Sequence, residues 1–181
     1  MPLKPAVLAG AVALSLVAGY TDLRSRRIPN WLTLPGLLIG MAMNAGFSGW
    51  GGLKESLLGT GLGFALLLPF YLLRGLGAGD LKFAVALGAF TGPGKLVDIL
   101  LGSIFVAGIM ALVLVIYKRR FLQTLRNIGH ILISLVTFRM PGYEVTIDNP
   151  DALKIPKGVA LAATVVLYAV YVLRSTRWRF A

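Results

Sequence analysis

Gly77-Ala78-Gly79-Asp80-Leu81-Lys82 sets a carboxylate at the mouth of an apolar run, Leu81 to Pro93. A charge held in lipid is expensive, so an acid in such a place is a functional candidate by default. A second acid, Asp22, stands at the end of the first apolar run, Pro5 to Gly19, just beyond Tyr20-Thr21. Arg24, Arg26 and Arg27 follow it at once and mark the cytoplasmic end of that span. The reading of the whole chain turns on whether these two acids share one side of a membrane.

The bilayer as solvent follows from composition. The 181 residues are 57% hydrophobic and 14% charged, with no Cys and a single His, His130. Soluble domains carry roughly 25% charged residues. Mean hydropathy is +0.80. One compact membrane domain over 1–181 is the expectation at this length. The net charge of +11 would suggest nucleic acid in a soluble protein. Here the bases flank apolar runs, as orientation by anionic lipid requires, and no nucleic-acid partner is expected. Lack of Cys removes disulfides and thiol catalysis, and one His cannot build an imidazole metal site. No metal or cofactor is expected.

The apolar runs predict an all-α, polytopic fold of about six transmembrane helices plus an amphipathic interfacial helix. The first run could be read instead as a cleaved signal peptide, but its n-region holds only Lys4 and comparable runs follow. Ile28 to Phe47 is the second run, with Pro29 suited to a first helical turn, Asn30 and Trp31 at the interface, and Pro35 placed to kink it. Gly46 to Lys54 reads as a short external loop. Ser56 to Leu73 is the third, where Gly59, Gly61 and Gly63 let helices approach closely. Leu81 to Pro93 is short for a span, which leaves Asp80 beside a water-accessible pocket. Thr91 to Lys95 is a turn, and Leu96 to Tyr117 is the fifth run. Apolar residues from Phe121 to Leu135 recur at helical spacing opposite Arg126 and His130, as in an interfacial helix. Arg139 to Lys157 reads as a polar loop, Val159 to Leu173 as the last span, and Arg174 to Arg179 as a basic tail. With the N-terminus outside, most basic residues and both Asp22 and Asp80 fall on the cytoplasmic side; the basic tail runs against that orientation.

Two carboxylates within hydrogen-bond reach share a proton. One can activate a water as general base while the other protonates a scissile carbonyl or a leaving amine. Gly77 and Gly79 would permit positive φ and close approach of a substrate backbone, and Lys82 would steady a carboxylate or contact a lipid phosphate. The plain structural alternatives are a cap or a salt bridge to Arg24 or Arg26 for Asp22, and an N-cap of the next helix for Asp80. Asp98, Glu144, Asp148 and Asp151 read as ordinary helix-start and loop acids.

The Gly-Ala-Gly-Asp-Leu-Lys stretch resembles the GxGD motif of type IV prepilin peptidases, which are membrane aspartyl proteases. Asp22, followed by Arg26, Arg27 and Ile28-Pro29-Asn30, resembles that family's first motif. The likeness spans residues 8 to 115, and Ile155-Pro156-Lys157-Gly158-Val159-Ala160 resembles a C-terminal signature of its short members. The resemblance implies that Asp22 and Asp80 are the catalytic pair, with Gly77, Gly79, Lys82, Pro29 and Asn30 as motif residues near the substrate backbone. It implies removal of the leader of a prepilin or pseudopilin, after a glycine, on the cytoplasmic side of a bacterial inner membrane. Without Cys or room for an added domain, the chain looks like the short, TadV/CpaA-like type of the tight-adherence (Flp) pilus systems, for which N-methylation of the product is not expected. Presenilin-like proteases also share GxGD but pair it with Tyr-Asp, whereas Thr21 parts Tyr20 from Asp22 here. The alternative from another class is a non-enzymatic polytopic protein, a small transporter or an assembly scaffold; an internal inverted repeat would favour the former, and none is convincing.

Overall fold

The structure, a computed structural model, describes residues 4–73, 75–117 and 157–177. They form four helices: α1 (Pro5–Ser25), α2 (Asn30–Leu72), α3 (Ala78–Tyr117) and α4 (Lys157–Arg177). All four contain a stretch long and apolar enough to cross a membrane. The interfacial helix expected over 118–137 and the polar loop after it lie outside the described residues, Lys157 apart.

Four helices stand where the sequence suggests six spans, and the difference rests on two glycines. Within α2 only Gly49 leaves helical dihedrals (φ 59°, ψ −146°), and within α3 only Gly92 does (φ 71°, ψ 175°). Positive φ is open to glycine at little cost. The loop expected over 46–54 and the turn over 91–95 are therefore one residue wide and otherwise helical. No residue around Pro35 leaves helical dihedrals either.

Each long helix nevertheless doubles back at its glycine. Asn44 and Ser56 would lie about 18 Å apart on a straight helix, yet Asn44 Nδ2 donates to Ser56 Oγ at 3.0 Å. Asp80 and Ile104 would be about 36 Å apart, yet they line one cleft.

The limb 78–91 of α3 is the centre of the fold. Phe83, Leu87 and Phe90 are fully buried or nearly so, as are the small residues between them. A helix that is apolar all round belongs in the interior. Both limbs of α2 pack against it. Gly59 and Gly88 meet backbone to backbone, so a Cβ at either would strike the other's carbonyl. This is the close approach that small residues permit in lipid, where packing replaces hydrophobic drive. Gly61 has open space around it and takes no part. α1 and α4 complete the shell: Leu14 fills the space above Gly36, and Gly19 faces Ala162. Outward, Trp31, Ile104, Phe105 and Tyr117 stand exposed, the expected finish for a surface solvated by acyl chains.

The doubling-back leaves two carbonyls near Gly92 in need of donors. Pro93 has no N–H for Ala89 O, and the reversal removes the next one from Phe90 O. Ser56 Oγ donates to Ala89 O at 2.6 Å, and Asn44 Nδ2 donates to Ala89 O at 2.8 Å and Phe90 O at 3.0 Å. The two limbs of α2 thus repair the break in α3.

Candidate active site

At the other end of the bundle, the end of α1 and the starts of α2, α3 and α4 come together. Asp22 lies in the last turn of α1 and is only 6% exposed. α1 then closes at Arg26, whose left-handed backbone (φ 50°) lets its N–H reach Asp22 O at 2.8 Å. That sharp exit brings Ile28 under the bundle, where it is buried.

Asp22 is a cap, but of a helix remote in sequence. The backbone N–H of Val159, in the first turn of α4, donates to Asp22 Oδ2 at 3.2 Å. A carboxylate at a helix N-terminus meets both free N–H groups and the positive end of the helix dipole. Gly158 makes this possible: a Cβ there would lie 2.9 Å from Asp22 Oδ2 and 2.9 Å from Ile28 Cδ1. Arg24, one of the two expected partners of Asp22, donates instead to the Tyr20 hydroxyl at 3.3 Å. Arg26 does act on Asp22 electrostatically.

Asp80 is the third residue of α3, within its first turn and not the N-cap. Its carboxylate faces the backbone N–H of Gly77, as the third-position acid of a capping box does. The charges of Asp22 and Lys157 both act on it. The two acids that the sequence singles out are thus brought to one end of the bundle, on different helices, near enough to feel each other.

Asp80 also lines a cleft of about 270 Å³. Its walls are apolar, with Leu67, Phe70, Leu76, Leu100 and Leu161 among them, and Asp80 and Lys157 supply the charge. A mostly apolar pocket with a few convergent polar groups is the usual form of a binding site.

Neither Gly77 nor Gly79 has positive φ. Gly79 sits inside α3, where a Cβ would come within 3.2 Å of Ile28 N. Its small size therefore lets the segment after α1 pass against the start of α3, which draws Asp22 toward Asp80. Pro29 stands one residue before α2, and its carbonyl accepts from the N–H groups of Leu32 and Thr33 at 3.2 and 3.4 Å. Lys82 Nζ donates to Asn30 Oδ1 at 3.0 Å. That pair lines a separate depression with Thr33, Leu37 and Phe64, so among the described residues Lys82 is engaged with Asn30 and not with a carboxylate.

Residues 157–159 received no role from the sequence, although the Ile-Pro-Lys-Gly segment around them was visible. Its signal was a glycine directly before the last apolar run. What the sequence could not give was its partner, since Asp22 lies 137 positions away.

A family model described as the type IV leader peptidase family matches residues 9–112, a stretch that holds both acids. No curated protein and no solved structure matches the chain.

Proposed function

This chain belongs to the type IV leader peptidase family, and we propose that Asp22 and Asp80 are the acid pair with which it cuts the leader from a prepilin or pseudopilin. The carrying observation is the convergence of the two acids from α1 and α3 beside an apolar cleft. One carboxylate, unprotonated, takes a proton from a water as that water attacks the scissile carbonyl. The other, protonated, gives its proton to the carbonyl oxygen; as the C–N bond then breaks, the first carboxylate passes the water's proton to the leaving amine and a hydroxyl proton of the intermediate returns to the second. Neither acid need leave its place, since each is fixed by backbone N–H groups of a helix start.

The substrate in this reading ends its leader with a glycine and continues into an apolar helix. The apolar walls of the cleft suit such a segment, and the charged end beside Asp80 suits the peptide group to be cut. The helix-rich, lipid-facing exterior supports a place in a membrane. In this reading that membrane is a bacterial inner membrane, with the acid end facing the cytoplasm and the short tight-adherence type as the nearest kind.

The test is cleavage by the full chain in liposomes of a synthetic peptide with a glycine-ended leader and an apolar continuation. The parent chain should cut after the glycine. Asp22→Asn and Asp80→Asn should each fold, because an amide oxygen can still accept from the same N–H groups, and each should lose roughly 10²–10⁴-fold or more in rate. Cleavage at the parental rate by either variant would end the proposal.

A further inference from the structure

The start of α4 joins both halves of the acid end. Lys157 is its first residue, and Lys157 Nζ donates to Gly75 O at 2.6 Å in the connection between α2 and α3. Two residues on, Val159 N–H holds Asp22. Between them Gly158 fits against Asp22 and Ile28 with no room for a side chain. Lys157 also lines the cleft with Asp80, and its charge acts on that acid. Residues 157–159 lie beyond the stretch 9–112 that the family model covers.

We propose that Lys157 is a positioning residue for the acid pair, tying the loop that leads into Asp80 to the helix end that holds Asp22. This rests on the proteolytic reading above. The bond to Gly75 O is charge-assisted and short but exposed, so what it contributes is position more than stability. Without it, the connection before Gly77 loses its link to α4, and the separation of the two acids is set by less. Among the described residues, the charges acting on the pair are Lys157 from α4 and Arg26 from the end of α1; Lys82, two residues past Asp80 on α3, is bonded to Asn30. Removing Lys157 removes the cation next to Asp80, which changes the pH at which the pair works as well as its geometry.

The experiment uses the full chain in liposomes with the glycine-leader peptide and compares Lys157→Met, Lys157→Arg, Lys157→Gln and Asp80→Asn. Lys157→Met should lower kcat by about 10- to 100-fold, the scale of a small misplacement of reacting groups, with KM changed by less than about twofold. The acidic limb of its kcat–pH profile should move to higher pH, because a carboxylate that loses a cation is more easily protonated. Lys157→Arg should restore most of kcat. Parental kcat and pH profile in Lys157→Met would overturn the proposal. So would a loss of activity that leaves the pH profile unmoved or that Lys157→Arg fails to rescue. If Lys157→Met does not fold, Lys157→Gln, which keeps a donor for Gly75 O without the charge, is read instead, and a parental pH profile there overturns it. Cleavage by Asp80→Asn, or none by the parent, would sink the proteolytic reading itself. An inactive Asp80→Asn beside a fully active Lys157→Met would remove only the role of Lys157.

Discussion

The two ends of the bundle place polar groups in the same apolar surroundings and use them differently. At the end where α2 and α3 double back, the side chains that serve the broken backbone are neutral, and the carboxylate that reaches Gly92, that of Glu55, belongs to an exposed residue. Asn44 and Ser56 each meet a specific need, the carbonyls of Ala89 and Phe90 that Gly92 and Pro93 leave without donors. At the opposite end the polar groups are charged. Asp22, Asp80 and Lys157 gather beside a cleft, and two of the three carry the same sign. They too meet backbone groups, at the starts of α3 and α4 and at Gly75 O, but those partners do not require two acids together. Burying like charges side by side is unfavourable, so the acid end stores an expense that the bend end avoids. A site that must hold a proton between two acids has reason to keep it; a structural joint has none.

The largest separation of the two ends should come from Gly158→Ala. The new Cβ would meet Asp22 Oδ2 and Ile28 Cδ1, both at 2.9 Å. Asp22 must then shift or release Val159 N–H. Cleavage of the leader peptide should fall by about 100-fold, while stability changes by no more than about 1 kcal/mol, since the clashes are with the ends of two side chains and not with backbone. Gly61→Ala is the control, because nothing lies within 4 Å of a Cβ there, and cleavage should be unchanged. Equal kinetics for the two alanine variants would show that the fit of Gly158 against Asp22 has no bearing on activity.

Much of this division was legible in the sequence and some was not. The membrane class, the all-helical fold and the pairing of Asp22 with Asp80 on one side follow from apolar runs and the acids at their ends. The close packing expected of Gly59 is present, though Gly61 takes no part in it. That the turns expected over 46–54 and 91–95 are each a single reversed residue was not legible, because glycine clusters look the same in a loop and at one reversed residue between two helical limbs. The positive φ expected of Gly79 is absent, which was not legible for a related reason: a glycine that admits a neighbouring backbone, Ile28, leaves the same trace as one that adopts positive φ. Asp22 on Val159, Lys157 on Gly75 and Asn44 on Ala89 were out of reach, since no local pattern names a partner that tertiary packing supplies.

At the bend end the expected effect is on stability alone. Asn44→Ala removes the donor to Phe90 O and one of two donors to Ala89 O. A buried carbonyl left without a partner costs about 1–3 kcal/mol, which thermal unfolding in detergent should register as a lower Tm. Ser56→Ala should cost less, because Asn44 still serves Ala89 O. Cleavage per folded molecule should stay at the parental value in both. A loss of kcat in Asn44→Ala below its unfolding range would mean that the joint at Gly92 communicates with the acids along the limb 78–91, and the two ends would no longer be separable.

The smallest effect tests where the acid end stops. Lys82 lies two residues from Asp80, and by spacing alone it belongs with the acids. The geometry assigns it to Asn30 Oδ1, 3.0 Å away and at the exposed rim of a different depression. An exposed bond of this kind contributes little, since water replaces either partner and a long side chain must be ordered to make it. Lys82→Met should therefore change stability by no more than about 0.5 kcal/mol and kcat by less than about twofold. Coupling to Asn30→Ala in a double-mutant cycle should also stay within about 0.5 kcal/mol. A tenfold loss of kcat in Lys82→Met would place that cation in the working site after all. The acid end would then have cations on two sides of Asp80, and Lys157 would share with Lys82 the task of setting the pH at which the pair exchanges its proton.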